Sequence, residues 1–217
     1  MPYCRKCGIK LPDEEGAKFC PNCGTPIVLQ PVRPELKRTL RVSRVRVSRS
    51  NRLKSLAIAI IACLVVTSFG TVLPIDPSEA QNLLGEIEGV EKALSSFGVA
   101  LIFGNNLMHC LIMFTPFLGP FYGFYVLYST GRFVAATASL HGSNPLALMA
   151  FMLIFPHAWL EYVSYGIAIS ESFWLSLMIV RHRFKAELNT AFKMISICAF
   201  LLLAAAFVET YLISLFI

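Results

Sequence analysis

Apolar and polar positions divide this chain near residue 54. Before Leu53 there is no apolar run; after it, apolar residues come in stretches long enough to cross a bilayer. A spanning helix needs about 20 such residues. The pattern predicts five spans, at about 56–75, 97–116, 121–140, 146–180 and 191–217. Pro74 and Pro77 bound the first, and the turn Phe117-Leu118-Gly119-Pro120 separates the second from the third. Residues 76–95 are polar and acidic, yet Leu83, Leu84, Ile87, Val90 and Leu94 recur at helical spacing, which predicts an amphipathic surface helix. The stretch 145–180 fits least well. As one helix it would reach about 54 Å, against about 30 Å of hydrocarbon. Two passes would carry Arg181, Arg183 and Lys185 to the outer side, so one long helix is expected, kinked near Pro156 or extending beyond the bilayer.

Composition agrees with that pattern. Hydrophobic residues are 56% of the 217 and charged residues 15%, against roughly half and a quarter in a soluble domain. The fold class is therefore an all-α polytopic membrane protein. Charge then orients it. Residues 1–54 hold 13 of the 19 Lys and Arg against Asp13, Glu14, Glu15 and Glu35, a balance of +9 within a net +6, which leaves −3 for the remainder. Basic loops stay in the cytoplasm. The expectation is a cell-membrane protein with residues 1–54 and 181–185 inside, the acidic 76–95 segment outside and the C-terminus extracytoplasmic. No cleavable signal peptide is expected, because the first apolar run follows more than fifty polar residues. Arg33, Lys37, Arg38, Arg41, Arg44, Arg46, Arg49, Arg52 and Lys54 make residues 29–54 a basic juxtamembrane linker. Such a cluster is drawn to anionic headgroups by ~1 kcal/mol per charge near the surface. Nucleic acid is disfavoured, since the linker lacks aromatic residues for stacking.

The polar N-terminus carries one clear piece of chemistry. Cys4 and Cys7 form one Cys-x-x-Cys pair and Cys20 and Cys23 a second, twelve residues on. Each short turn presents two sulfurs to one ion, and two turns complete a tetrahedral tetrathiolate site for zinc. Gly8 and Gly24 follow the second cysteine of each pair, where positive φ lets amides turn toward sulfur. Two disulfides are the alternative, which a cytoplasmic side disfavours. Four cysteines close the coordination sphere, so this Zn2+ is structural, and residues 1–28 read as a zinc ribbon whose partner is a protein rather than DNA. Cys63, Cys110 and Cys198 lie in apolar runs and read as small core residues.

Polar residues inside the spans are the remaining signal. Asn105, Asn106 and His109 lie in the second span, Arg132 in the third, and His157 and Glu161 in the fourth, with Glu171 further on. A central charge costs about 2.5–3.5 kcal/mol on insertion scales, so each should face protein or water and find a partner. Helical spacing places Asn105 with His109, and His157 with Glu161. Depths counted from the span ends put both histidines about 17–18 Å from the outer side and Arg132 about 16 Å from the inner side. These six residues are therefore expected to converge near the bilayer centre. Pro156 should also leave the Met152 carbonyl without its helical donor.

On these residues the chain resembles the stage II sporulation protein M family. The matching positions are Phe103, Asn105 and Asn106, then Gly119, Gly123 and Gly131, then Pro156, His157 and Glu161, within about 95–217. Ala158 departs from the glycine usual after that histidine. Phe19-Cys20-Pro21-Asn22-Cys23-Gly24 resembles short zinc ribbons at the ends of prokaryotic membrane proteins, and the resemblance implies an archaeal type of family member. In spore-forming bacteria it implies a scaffold that recruits peptidoglycan-degrading enzymes. Three functions follow in order of preference. The first is a membrane scaffold with a buried polar lock between helices, not an enzyme. The second is a small permease or ion pathway using His157 and Glu161. The third is an intramembrane metallohydrolase built on His109, His157 and Glu161. A homo-oligomer is plausible, since five helices enclose little volume.

Overall fold

Proline and glycine, more than apolar content, decide where the helices begin and end. The structure, a computed structural model, describes residues 3–4, 6–10, 19–26 and 48–216, with side chains excepted at 86–97 and 216. Six helices follow in order: α1 (Arg49–Val72), α2 (Pro77–Met113), α3 (Gly119–Leu140), α4 (Pro145–Met152), α5 (Pro156–Val180) and α6 (Phe184–Phe216). Among the described residues β pairing is limited to two isolated bridges, Tyr3 with Lys10 and Phe19 with Pro26. The class is all-α, with a cysteine cluster at its N-terminus. The chain divides into two compact units, Met1–Arg46 and Val47–Ile217. Arg33, Lys37, Arg38, Arg41, Arg44 and Arg46 of the basic linker lie outside the described residues, whereas Arg49, Arg52 and Lys54 already belong to α1.

Each boundary has a local cause. Pro74 forces Leu73 into extended backbone (φ −65°, ψ 135°), and α1 ends there. Pro77, Pro120, Pro145 and Pro156 stand in the first turns of α2 to α5, where their missing N–H costs nothing. The Asn144 side chain caps α4 by accepting from the amides of Leu146 (2.9 Å) and Ala147 (3.2 Å). Gly98 (φ 45°, ψ −122°) interrupts α2, separating residues 77–97 from the apolar 98–113.

The expected single helix over 145–180 is not there. An eight-residue α4 ends at Met152, Phe155 is extended (ψ 136°) and α5 starts afresh. The reason is Pro156, whose ring excludes the helical region for the residue before it. At about 12 Å, α4 is far too short to cross a bilayer. The Met152 carbonyl is not left open either: the Phe155 amide donates to it at 3.3 Å. The Trp159 indole donates instead to the Leu153 carbonyl at 2.8 Å.

Length and apolar character together mark three helices as able to span, α1, α5 and α6, with residues 98–113 a shorter apolar helix. Five is thus a loose count, resting on α3 and the second half of α2 joining those three. α3 has 22 residues, but its glycines, tyrosines, hydroxyl residues and Arg132 dilute its hydropathy.

α5 is the central helix, packed against α1, α2, α3 and α6. Ser164, Ala168 and Ser172 on it are fully buried, alongside Cys63, Cys110, Met113, Cys198 and Leu202 from its neighbours. Small residues permit these approaches. A methyl group added at Gly70 would lie 2.5 Å from the Tyr128 carbonyl oxygen, and one at Gly131 would overlap the Thr67 carbonyl. α1 and α3 therefore cross backbone to backbone. At Gly166, a Cβ would meet the Ile60 side chain at 2.6 Å, so there α5 lies close against a side chain of α1.

Candidate functional site

Two turns build the cysteine cluster. In each, the amide after the second cysteine returns to the first cysteine's carbonyl: Gly8 to Cys4 at 2.8 Å and Gly24 to Cys20 at 2.9 Å. Both glycines have positive φ, 71° and 66°, as this turn requires. Cys4 and Cys23 Sγ are 3.6 Å apart, as are Cys7 and Cys20 Sγ, and all four lie within 4.8 Å of one another. Bonds of about 2.3 Å to a tetrahedral zinc imply sulfur–sulfur edges of about 3.8 Å, whereas a disulfide needs about 2.05 Å. The donor set fits a metal. The amides of Cys7 and Lys6 hold the Cys4 thiol below its ordinary range. The Thr25 hydroxyl, 3.2 Å from Cys23 Sγ, and then the Thr25 amide bring Cys23 down to about 6. Against the pull of the Cys23 amide, burial and the thiols of Cys4 and Cys23 push Cys20 up to about 11. Four thiolates this close need a cation among them, which is what a divalent metal supplies. Among the described residues this is the only group of three or more such ligands gathered closely enough for a metal.

The six intramembrane residues do not form one centre. Arg132 is the clearest correction, because it sits at the end of α1 rather than beside Glu161. Its Nε and Nη2 donate to Glu79 Oε1 and Oε2 at 2.9 and 2.8 Å. Its Nη1 donates to the carbonyls of Gly70 (3.3 Å) and Leu73 (2.8 Å), and Nη2 to that of Pro74 (3.1 Å). Those carbonyls end α1, where helical partners run out and the helix dipole is negative. The Gly70–Gly131 crossing delivers the guanidinium to that spot. Depth along a span contains neither the crossing nor the reach of a long side chain toward polar surroundings.

The others separate as well. Asn106 Nδ2 donates to Glu161 Oε1 at 2.7 Å, joining α2 to α5. His109 Nδ1 pairs with the Tyr122 hydroxyl at 2.7 Å, joining α2 to α3. Asn105 is exposed, so its helical neighbour His109 turns inward without it. His157 stacks on Phe155 with ring centroids 5.9 Å apart, and its buried Nδ1 has no hydrogen-bond partner. A metal site from His109, His157 and Glu161 is thus not assembled, since each turns to a different neighbour.

A second group of charged residues has roles that linear spacing does not show. Arg52, counted with the linker, donates to Glu171 at 2.5 Å and to Glu187, and its guanidinium lies 5.9 Å from the Trp174 ring centroid. The Trp174 indole donates to Ser55, whose hydroxyl meets that of Ser170 at 2.8 Å. This second lock ties α1, α5 and α6. Glu79, on the polar and acidic 76–95 segment, and Glu187, in the first turn of α6, supply the carboxylates of the two locks. Glu209 had a readable signal: it is the one charge in residues 194–217. From Arg52 to Gly70 is about 27 Å along α1, so the two charge locks stand at opposite ends of a bilayer-length helix.

Residues 55–213 match the family described as Stage II sporulation protein M, and residues 3–27 match the zinc-ribbon domain. No curated protein and no solved structure matches the chain.

Proposed function

The chain belongs to the stage II sporulation protein M family, and from that premise we propose that it is a membrane scaffold whose cytoplasmic ribbon engages a protein partner. One structural Zn2+ on Cys4, Cys7, Cys20 and Cys23 holds the ribbon. The basic linker rests on anionic headgroups with the N-terminus in the cytoplasm, and the spans provide a rigid platform able to self-associate. The observation that carries this reading is Arg132. Its five N–H donors are all taken by Glu79 and the end of α1, which makes it an interhelical clamp rather than a group waiting for a solute. Arg52 serves α5 and α6 in the same way. Ion-paired clamps of this kind specify which helices meet.

A second reading, a small permease or proton pathway, draws on Glu161, which among the described residues is paired with no basic residue and bonded only to Asn106. Crosslinking and pull-down from native membranes, with the full chain and with residues 1–28 deleted, separates the two. The scaffold predicts specific partners that are lost with the ribbon, and no solute flux in proteoliposomes. Flux that Glu161→Gln abolishes in folded protein would replace it with the permease.

A further inference from the structure

The break between α4 and α5 leaves a cavity of about 440 Å³ bordered by α3, α4, α5 and α6. It exists because α6 packs chiefly on α5 and α2, while the short α4 packs on α3 and α1. Most of its wall is apolar, including Phe133, Phe151, Phe155 and Leu212, and its size falls in the range of small-molecule sites. Two groups with unspent hydrogen-bonding capacity line it, His157 and Glu209. His157 Nδ1 is buried without a partner. Glu209 has no hydrogen bond or ion pair among the described residues, and it lies close enough to Glu161 for their charges to interact. The two clamping arginines are engaged elsewhere: Arg132 is held by Glu79 and Arg52 by Glu171 and Glu187. Lys193, the nearest basic residue along α6, is about 24 Å away on the helix axis.

We infer that this cavity binds a lipophilic amine, its alkylammonium N–H groups donating to the Glu209 carboxylate and His157 Nδ1 while its apolar body lies along Phe133, Phe151 and Leu212. The charge sets the choice. A bare acyl chain would leave both polar groups unanswered, and an anion would face two glutamates. A metal ion would want more donors than the wall offers, since only Glu209, His157 and the Thr137 hydroxyl bring ligand atoms to it. The same ammonium chemistry is carried by an aminophospholipid headgroup and by a small hydrophobic amine.

The test compares decylamine, decanol and decanoate binding to the purified full-length protein in detergent by calorimetry. Saturable binding of one decylamine per chain is expected, at least tenfold tighter than decanol, with decanoate weakest. Glu209→Gln should bring decylamine to the level of decanol, and Leu212→Trp, which fills the cavity, should abolish both. Equal binding of decylamine and decanol to the unaltered protein overturns the inference, and that comparison needs no variant to fold. So does the absence of saturable decylamine binding, or an unchanged affinity in monodisperse Glu209→Gln protein. Native mass spectrometry from nanodiscs of phosphatidylethanolamine or phosphatidylcholine distinguishes the source. Retention of phosphatidylethanolamine alone, lost in Glu209→Gln, assigns the lipid headgroup; retention of neither, with decylamine bound, assigns a small amine.

Discussion

Arg132 carries five N–H groups, and all are taken, two by the Glu79 carboxylate and three by the carbonyls of Gly70, Leu73 and Pro74. Removing it orphans the carbonyls that close α1 and leaves Glu79 without its cation. Arg132→Ala should cost about 1–3 kcal/mol, the penalty of unsatisfied buried acceptors. Arg132→Lys should recover only part of that, since an ammonium cannot reproduce the fork. Thermal unfolding in detergent measures both. The same pair makes stability depend on acid. Hydrogen bonding to Arg132 holds the Glu79 carboxyl below its ordinary value, against a smaller desolvation effect. Its contribution is therefore complete above the unfolded value of about 4.3 and is lost as pH falls through the lower folded value. The melting temperature should drop over that acid window in the parent protein, and Glu79→Gln should remove this part of the drop. An unchanged acid profile in Glu79→Gln would mean that the pair does not form. That Arg132 needed a partner was legible from its place in an apolar run. Which carboxylate answered was not, because Glu79 lies 53 positions away and only the fold brings it near.

Helix ends were largely written locally, in proline and cap residues, but helix meetings were not. Pro74 ends α1 and Pro77 opens α2, whereas Pro156, where a kink is one of the two expected outcomes, enforces a full break. A kink keeps the helix going, and the extended Phe155 shows that here it does not. Gly131 illustrates the other side. Its place in an apolar span does not say which helix it meets, yet a methyl at Gly131 would strike the Thr67 backbone while one at Gly85 meets nothing within 4 Å. Gly131→Ala should destabilise by about 1–3 kcal/mol through overpacking. Gly85→Ala should be neutral or gain up to about 1 kcal/mol from lower chain entropy. Denaturation of the two variants side by side checks this, and equal effects would show that the α1–α3 crossing is looser than drawn.

Across the membrane domain, two ion-paired clamps stand at the ends of α1. The Arg52 clamp balances one cation against two carboxylates, with side-chain exposures of 19% for Arg52, 5% for Glu171 and 8% for Glu187. Arg52→Gln should therefore be the worst single change there, at about 3–5 kcal/mol, because it strands buried charge. Glu187→Gln should cost less, since Arg52 keeps Glu171; unfolding midpoints rank the two. Orientation is testable on the same footing. Reporter fusions should place residues 1–54 and 181–185 in the cytoplasm and the 76–95 segment and C-terminus outside. A cytoplasmic reporter signal at 76–95 would reverse the assignment.

Properties carried by neighbouring residues could be read along the chain. Two Cys-x-x-Cys turns form a site from a few residues each, and long apolar runs announce lipid because every backbone polar group there must be satisfied within its own helix. The family resemblance also lay in such local motifs. Partnership between helices was decided only in three dimensions. Asn106 with Glu161, Arg132 with Glu79 and Arg52 with Glu171 join residues more than fifty positions apart. Their meeting depends on how close glycine crossings let the backbones come and how far each helix slides before its side chains interlock, and one-dimensional spacing contains neither quantity.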